Sequence, residues 1–241
     1  MQTTGALPKH VEIAEALMRR VAAGLLPDGT RLPPERQMAH EWGVAVGTLR
    51  KSLAKLEEEG LLERIQGSGN YIRQKDGAQS LYRLFRLELV SGGGLPTAQI
   101  LDVARSEKPH PAIDFGHGDS AHRIRRLRRL DGHPVAVEEI WFDGAQAESL
   151  TAADLSDSLY HTYATRFGLE ITRIEDRVSI GTLPDWAAGM PITPGTMTGF
   201  IERWSWARGI TAPEAAPVEY SRTWFDAGRA MFVARDKGRQ D

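Results

Sequence analysis

The sequence predicts an α+β protein in two parts, a mainly helical N-terminal part and a larger part of strands with at least one helix. Apolar residues recur at helical spacing between residues 11 and 59. Residues 61–73 alternate around a Gly-x-Gly tip, which is typical of a hairpin. Further alternating runs lie between Pro/Gly-rich turns from residue 81 onward. The 241 residues fit one large domain or two modest ones.

Composition excludes several classes of function. There are no cysteines, which rules out disulfides, thiolate catalysis and cysteine-ligated zinc. The first thirty residues lack a signal sequence, and no apolar run approaches the ~18 residues of a membrane span. No phosphate-binding loop or metal motif is present, so no cofactor is expected. We therefore expect a cytoplasmic protein without a membrane partner.

The formal net charge of −2 is distributed unevenly along the chain. Residues 1–75 carry 11 Lys+Arg against 9 Asp+Glu, whereas residues 76–241 carry 19 against 23. The basic excess of the N-terminal part is small. A surface that binds nucleic acid must therefore come from the arrangement of charges rather than from their total.

Three helices are predicted in the N-terminal part, over residues 11–23, 34–42 and 46–59. Gly24 fits a stop for the first helix, and Pro34 suits the first position of the second. Gly43 supplies the positive φ that ends the second helix. A strand, the tip Gln-Gly-Ser-Gly and a return strand follow.

Two helices around a tight glycine turn, followed by a hairpin, predict a winged helix-turn-helix that binds double-stranded DNA. The exposed N-terminal side of the third helix, which enters the major groove in such folds, carries Gly47, Thr48, Arg50 and Lys51. The alternative is an amphipathic helix pair with a surface hairpin and no ligand.

The segments LPPER, GVAVGTLRKSLAKLEEEGLLER and GSGNYIR resemble the N-terminal domain of the GntR regulators over about residues 8–73. The resemblance implies DNA contacts from Arg36, Gly47, Thr48, Arg50, Gln66, Gly67, Ser68 and Gly69.

One departure from that family affects base reading. Many members have Ser-Arg where this chain has Ala45-Val46, so an arginine that often reads guanine is missing. A bidentate guanine contact contributes ~1–3 kcal/mol of discrimination. We expect an operator that differs from the common family consensus and is read through Arg50, Arg36 and thymine methyl contacts of Val46.

Residues 76–80 are predicted to be a linker between a DNA-binding domain over residues 1–75 and an effector domain over residues 81–241. The polar stretch QKDGAQS, residues 74–80, would span at most ~25 Å.

The C-terminal part contains one hairpin signal and one helix signal. Asp131-Gly132 joins the alternating runs HRIRRLRRL and VAVEEIWF. The stretch LSDSLYHTYATRFGL reads as a helix with Ser156, Asp157 or Ser158 as N-cap and Gly168 as its stop. Further strands are predicted in the second half of LYRLFRLELV and in ITRIEDRVSIG, TMTGFIERWSWA and VEYSRTWF.

Two features of this part suggest that it binds an anion. Alternation places Arg126 and Arg128 on one strand face, where their forked donors can converge. Ser158 and Tyr160 lie at a helix start, whose free N–H groups favour a phosphate or carboxylate. The alternatives are a solvated basic strand and a serine that only caps its helix.

The segments RIRRLRRLDGHPVAVEEIWF, DSLYHTYATRFG and PVEYSRTWFD resemble the UTRA effector domain of the HutC subgroup of GntR regulators, over about residues 81–235. That domain is similar in fold to chorismate lyase. The resemblance implies an effector site in which a tyrosine of sugar-phosphate-sensing members is replaced by phenylalanine. Its residues here would be Arg126, Arg128, Glu138, Ser158, Tyr160, Glu219 and Phe225.

The hairpin register decides whether Glu138 can share that site. A four-residue loop over 131–134 would place Glu138 opposite Leu127 and weaken the site. An odd loop or a β-bulge would instead bring Glu138 to the face of Arg128.

His110, His117 and His122 are expected as surface residues of a Pro/Gly-rich loop, because their spacing matches no metal motif. Trp204 and Trp206 alternate on a strand and are expected in core or dimer packing.

Together these features predict a transcriptional repressor that binds a palindromic operator as a homodimer. A small anionic metabolite, either a phosphorylated sugar or a carboxylate, would release it. Two alternatives stay open at this point: an enzyme that uses the chorismate-lyase-like domain, and a DNA-binding protein without a ligand. No nucleophile–base pair is evident, so we expect no enzyme.

Overall fold

The computed structural model describes residues 8–22, 25–73, 86–109, 113–156, 158–208 and 216–234. The chain divides into two compact units, residues 1–85 with 93–95, and residues 86–92 with 96–241. The predicted linker over residues 76–80 lies outside the described residues, as do Gly24, His110 and Asp157.

The first unit contains three helices and a hairpin. Its elements are α1 (Lys9–Ala22), α2 (Glu35–Glu41), α3 (Val46–Glu58), β1 (Leu62–Ile65) and β2 (Gly69–Ile72). The predicted helix order and the wing are confirmed. The second helix begins one residue later than predicted, because Pro34 has an extended ψ of 140° and is the N-cap rather than the first helical residue.

A single apolar core joins the helices and the wing. Gly43 has a φ of 62°, which lets the chain reverse between α2 and α3. Leu49, Leu53 and Leu56 of α3 are fully buried against Ala39 of α2. The rest of this core comes from α1, Leu32, Met38 and the wing.

The segment before α2 lies alongside the wing. Leu62 pairs with Ile72 and Ile65 with Gly69 in the hairpin. The amide of Leu32 donates to the carbonyl of Asn70 at 2.9 Å, which ties residues 29–32 to the outer edge of β2. The wing is therefore anchored on both sides of its return strand.

The second unit is an antiparallel sheet with one helix. Its elements are β3 (Leu87–Leu89), β4 (Pro96–Glu107), β5 (Ser120–Leu130), β6 (His133–Asp143), a 3-10 turn (Ala152–Asp154), α4 (Leu159–Phe167), β7 (Glu170–Thr182), β8 (Met197–Arg208), β9 (Glu219–Phe225) and β10 (Ala230–Phe232). Six strands form one sheet in the order β4-β5-β6-β9-β8-β7, and β3 pairs with β10. The strands β4 and β10 are not indicated by the sequence patterns.

The β5–β6 hairpin has a two-residue turn and a β-bulge. Asp131 and Gly132 have φ values of 49° and 78°, and Leu130 pairs with His133. Between the Arg129–Pro134 and Arg128–Ala136 pairs the register shifts by one residue. The loop is therefore not the four-residue one considered above, and the bulge places Glu138 directly opposite Arg126.

The sheet has two distinct faces, because directly opposed residues of antiparallel strands share a face. We call one the helix face, since Tyr163 of α4 stacks on its Phe142 with ring centroids 4.3 Å apart. The opposite face carries aromatic residues, including Trp204, which packs on Tyr220 as predicted.

His122 corrects one expectation. It lies within β5 rather than in a loop, is 1% exposed, and its Nε2 is 2.8 Å from the carbonyl oxygen of Ala147. Strand β5 begins at Ser120, so His122 is part of the sheet and its ring is buried. His117 is exposed, as expected, with Nδ1 3.3 Å from Asp143.

Among the described residues, no helix has both the length and the apolar composition that crossing a lipid bilayer requires.

Candidate DNA interface and effector site

The N-terminal side of α3 presents the predicted DNA contacts. Gly47, Arg50 and Lys51 are exposed, and Thr48 is half-buried. Arg36 at the start of α2 is also exposed.

The side chain of Val46 is less exposed than a residue that contacts bases would need to be. It is half-buried and packs against the core of the first unit. Only part of it is left for the thymine methyl contact predicted above.

Arg50 is held by a carboxylate from the preceding helix. Its Nε donates to Oε2 of Glu35 at 2.7 Å, although the arginine side chain is 63% exposed. This hydrogen bond, with the nearby charge of Arg50, outweighs burial and lowers the pKa of Glu35. The side chain of Asn70, from the wing, also helps to lower this pKa.

The wing tip is fixed from outside the hairpin. Nη2 of Arg31 donates to the carbonyl of Ser68 at 2.5 Å, and the Ser68 hydroxyl lies 2.7 Å from that of Tyr71. Gly69 has a φ of 132°, and a Cβ there would lie 3.3 Å from Arg31 Nε.

A groove of about 810 Å³ runs between this tip and the start of α2. Its lining includes the wing residues Gln66, Gly67, Ser68 and Gly69.

On the helix face of the second unit, Arg126 and Arg128 surround Glu138. All three residues are at least nine-tenths buried. Arg126 donates to Glu138 Oε2 through Nε at 2.9 Å and through Nη2 at 2.5 Å. Nε of Arg128 is 3.8 Å from Oε1. Burial raises the pKa of Glu138, but the two arginine charges outweigh it and the net pKa is below its ordinary value.

Glu219 lies on the same face among hydroxyl groups. It accepts hydrogen bonds from Tyr163 at 2.7 Å, from Ser205 at 3.0 Å and from Tyr160 at 3.3 Å. Burial raises its pKa above the ordinary value, and these hydrogen bonds only partly offset the effect. Two glutamates of one sheet face thus have opposite electrostatic environments.

A third arginine, Arg203 of β8, lies near the polar groups around Glu219. Arg203 makes a forked pair with Asp176, with distances of 2.6 and 2.8 Å. Burial and the charge of Glu219 raise the pKa of the Tyr160 phenol, and the positive charge of Arg203 opposes them only in part. Arg203 therefore joins β8 to the edge strand β7 and places a positive charge near Tyr160.

Of the three N-cap candidates for α4, the structure has Ser158 in that position. Its hydroxyl accepts the amide hydrogen of His161 at 3.3 Å. Gly168, with a φ of 67°, ends the helix as predicted. Capping by Ser158 agrees with the plainer of its two interpretations. The hydroxyl of Tyr160, two residues later, hydrogen-bonds Glu219.

Phe225 is buried on the helix face over a glycine. It lies opposite Ala136 of β6 and Gly199 of β8. A Cβ on Gly199 would come within 2.1 Å of the Phe225 ring. The glycine is therefore required by close packing rather than by a left-handed backbone.

The structure brings most of the predicted effector residues to one face. Arg126, Arg128 and Glu138 form one group, and Tyr160 and Glu219 form another. Four further polar residues of this face are missing from the sequence prediction: Tyr163, Asp176, Arg203 and Ser205. Helical spacing from Tyr160 would have indicated Tyr163.

Comparison with known protein families matches both units. Residues 9–72 match the model of bacterial regulatory proteins of the gntR family, and residues 92–230 match the UTRA domain. The chain is therefore a bacterial transcriptional regulator. It belongs to the GntR family and carries a UTRA domain.

Curated relatives are similar over nearly the whole chain. The HTH-type transcriptional regulator SmoD of Agrobacterium fabrum is 52% identical over 234 residues, covering 97% of this chain and 98% of SmoD. The repressor NagR of Bacillus subtilis is 26% identical, with 94% of each chain covered. The mannosyl-D-glycerate system repressor MngR of Escherichia coli K12 is 29% identical, with 95% and 96% covered.

Solved structures share the fold. YydK of Bacillus subtilis has a TM-score of 0.52 at 20% identity, covering 96% of this chain and all of YydK. The ligand-binding domain of a GntR-family regulator from Bordetella bronchiseptica has a TM-score of 0.55 at 21% identity, covering 65% and 99%. The predicted α+β fold, a winged helix-turn-helix followed by a UTRA domain, is confirmed.

Proposed function

We propose that this regulator is a homodimeric repressor that binds a palindromic operator and is released by a small anionic metabolite. The observation that carries the effector part is the buried arginine pair on the helix face. Arg126 bonds Glu138 Oε2, and Nε of Arg128 lies 3.8 Å from Oε1, so two buried guanidiniums converge at one place on this face. Their forked donors suit a phosphate or a carboxylate.

The proposed effector is a polyol or sugar that carries this anion. Arg126 and Arg128 would hold the anion with forked donors, while Glu138 and Glu219 would accept hydroxyl hydrogens. MngR, one of the relatives, is named for a system that handles mannosyl-D-glycerate, and glycerate is a carboxylate.

The ring of Phe225 offers no hydrogen bond. It therefore favours an effector that has no polar group at the Phe225 end of the site. Ser158 and Tyr160, at the start of α4, would sense the ligand directly.

The proposed DNA interface consists of α3, Arg36 and the wing tip over residues 66–69. A single DNA-binding domain buries too little surface for specific binding. Two such domains on a palindromic operator are therefore favoured. The proposed units are a DNA-binding domain over residues 1–75, a linker over 76–80 and an effector domain over 81–241.

The edge strand β7 supports dimer formation. It is 13 residues long and, among the described strands, pairs only with β8. Val178 and Ile180 of β7 and Met197 of β8 are 50%, 70% and 63% exposed. A two-fold axis beside β7 would pair it with its copy and cover these side chains, as an exposed apolar edge requires.

Induction requires that the effector prefer the released state. A preference of roughly 100-fold corresponds to ~2.7 kcal/mol, which lies within the usual range of coupling energies.

The test combines a thermal-shift screen with operator release. The full-length protein is screened against phosphorylated sugars and carboxylated sugars, and each hit is assayed for release of the duplex selected from random DNA. We expect hits to raise the melting temperature and release DNA. Arg126→Ala and Arg128→Ala should lose the response and retain DNA binding.

Arg129→Ala is the matched control, because Arg129 lies on the same strand but bonds Gly132 and Gln99 instead. An effector response that survives in both site variants would place the effector site elsewhere. Turnover of chorismate or another aromatic acid by the protein would favour the enzyme alternative.

A further inference from the structure

The contact between Glu35 and Arg50 controls which donors of the arginine remain available. A guanidinium has one edge formed by Nε and one Nη, and an end formed by its two Nη groups. Glu35 Oε2 occupies Nε at 2.7 Å. The two terminal amino groups are the pair that can approach guanine O6 and N7 end-on.

Glu35 is itself fixed by its surroundings. It lies in the first turn of α2, next to Pro34, and its side chain is only 23% exposed. Asn70 of the wing is buried and lines the same groove as Glu35. Glu35 thus joins the start of α2 to α3 through Arg50.

The carboxylate has an electrostatic cost on DNA. A negative charge beside the recognition helix opposes phosphate binding, which supplies most non-specific affinity. It also restrains a side chain that would otherwise lose up to ~2 kcal/mol of rotamer entropy on binding. The first effect weakens binding to every sequence, whereas the second favours only the sequence that Arg50 reads.

We propose that Glu35 is a specificity-determining residue, which positions the Arg50 guanidinium end-on for one guanine of each half-site. The inference rests on the proposed function, in which α3 enters the major groove. Glu35 need not touch DNA, so it is a positioning residue. Because the Val46 side chain is half-buried and packs against the core, the discrimination by Arg50 carries more of the operator's sequence preference here.

The experiment uses the full-length protein and the duplex that the wild type enriches from a random pool. Each G·C pair of that duplex is replaced in turn by A·T. The pair whose replacement weakens the wild type, but not Arg50→Ala, is the pair that Arg50 reads. We expect Glu35→Gln to reduce discrimination at that pair about tenfold. Its affinity for random duplex should be unchanged or higher.

Two variants provide controls. Glu57→Gln removes the same charge from the same unit, because Glu57 of α3 pairs with Arg64 at 2.9 Å instead. It should change discrimination by less than about twofold. The double variant Glu35→Gln/Arg50→Ala should discriminate no worse than Arg50→Ala alone, since Glu35 acts through Arg50. Thermal unfolding checks that each variant is folded.

The outcomes distinguish failure of the proposed role of Glu35 from failure of the proposed DNA binding. Unchanged discrimination in Glu35→Gln, an equal loss in Glu57→Gln, or no pair assigned to Arg50 would overturn the inference and leave DNA binding intact. If the wild type enriches no duplex at all, the proposed DNA-binding function itself fails.

Discussion

Glu138 and Glu219 occupy one sheet face but have opposite pKa shifts. The charges of Arg126 and Arg128 lower the pKa of Glu138, whereas the hydroxyls and the more distant arginine charges around Glu219 offset its burial only in part. Without an effector, Glu138 is therefore the more readily ionised of the two carboxyl groups. The two side chains cannot be interchanged as acceptors in the proposed effector site.

Glu219→Gln tests this difference through the pH dependence of stability. A glutamate with a raised folded pKa binds more protons when folded than when unfolded. Its contribution therefore falls as pH rises from the ordinary value of 4.5 through the folded pKa. We expect the melting temperature of the variant, relative to wild type, to increase across that window. Equal pH profiles for the two proteins would contradict the assignment.

Gly199 tests the packing beneath Phe225. Gly199→Ala would place a Cβ 2.1 Å from the ring, so the ring or the strand must shift. We expect a loss of ~1–3 kcal/mol of unfolding free energy in chemical denaturation. Adding Phe225→Leu should restore part of this loss, whereas simple additivity of the two changes would argue against a direct clash.

The sequence predicts the position of a residue correctly where local chain geometry alone determines it. Arg126 and Arg128 follow from strand alternation, and Gly43 follows from the need for a positive φ. Prediction fails for Ser205 and Asp176, because their partners on neighbouring strands and on α4 are known only once the strand register is known. It also fails for His122, because a single polar residue at the end of a strand resembles a loop.

At the scale of elements, α4 has a start that can be tested separately for capping and for anion binding. Ser158→Ala removes the bond to the His161 amide and should cost ~1 kcal/mol of stability. Ser158→Asp keeps a capping acceptor but adds a negative charge. We expect it to melt near the wild-type temperature and to lose its response to an anionic effector.

The matched pair of variants distinguishes the two roles of Ser158. An effector response retained in Ser158→Asp would mean that the helix start only caps. Loss of stability in both variants would mean that the cap geometry requires the serine hydroxyl itself.

The β5–β6 hairpin shows what limits prediction of elements. The turn pair Asp131-Gly132 is predictable, because few dipeptides adopt positive φ at both positions. The bulge at Val135 is not, since it depends on how β6 pairs with β5 rather than on local sequence. Without that extra residue in β6, a two-residue turn would put Glu138 opposite Arg125, on the other face of the sheet.

At the scale of the whole molecule, the proposed dimer edge is tested by Val178→Glu. A charge at this site of β7 should prevent a second copy from pairing, so sedimentation should detect a monomer. The monomer should bind the operator about 100-fold more weakly, because two linked DNA-binding domains gain affinity from avidity.

Val90→Glu is the control, since Val90 is 51% exposed and lies outside the large sheet. It should remain dimeric. A dimeric Val178→Glu protein, or a monomeric wild type, would remove β7 from the interface.

The charge pairing of Glu138 has a consequence for protons. An effector anion that takes over Arg126 and Arg128 removes the charges that hold the pKa of Glu138 down, and burial then drives that pKa upward. Effector binding should therefore draw protons from solution, increasingly so as the pH approaches the ordinary glutamate value of 4.5. Calorimetry in buffers of different ionisation enthalpy would measure this uptake directly. The regulator would then bind its effector more tightly at lower pH.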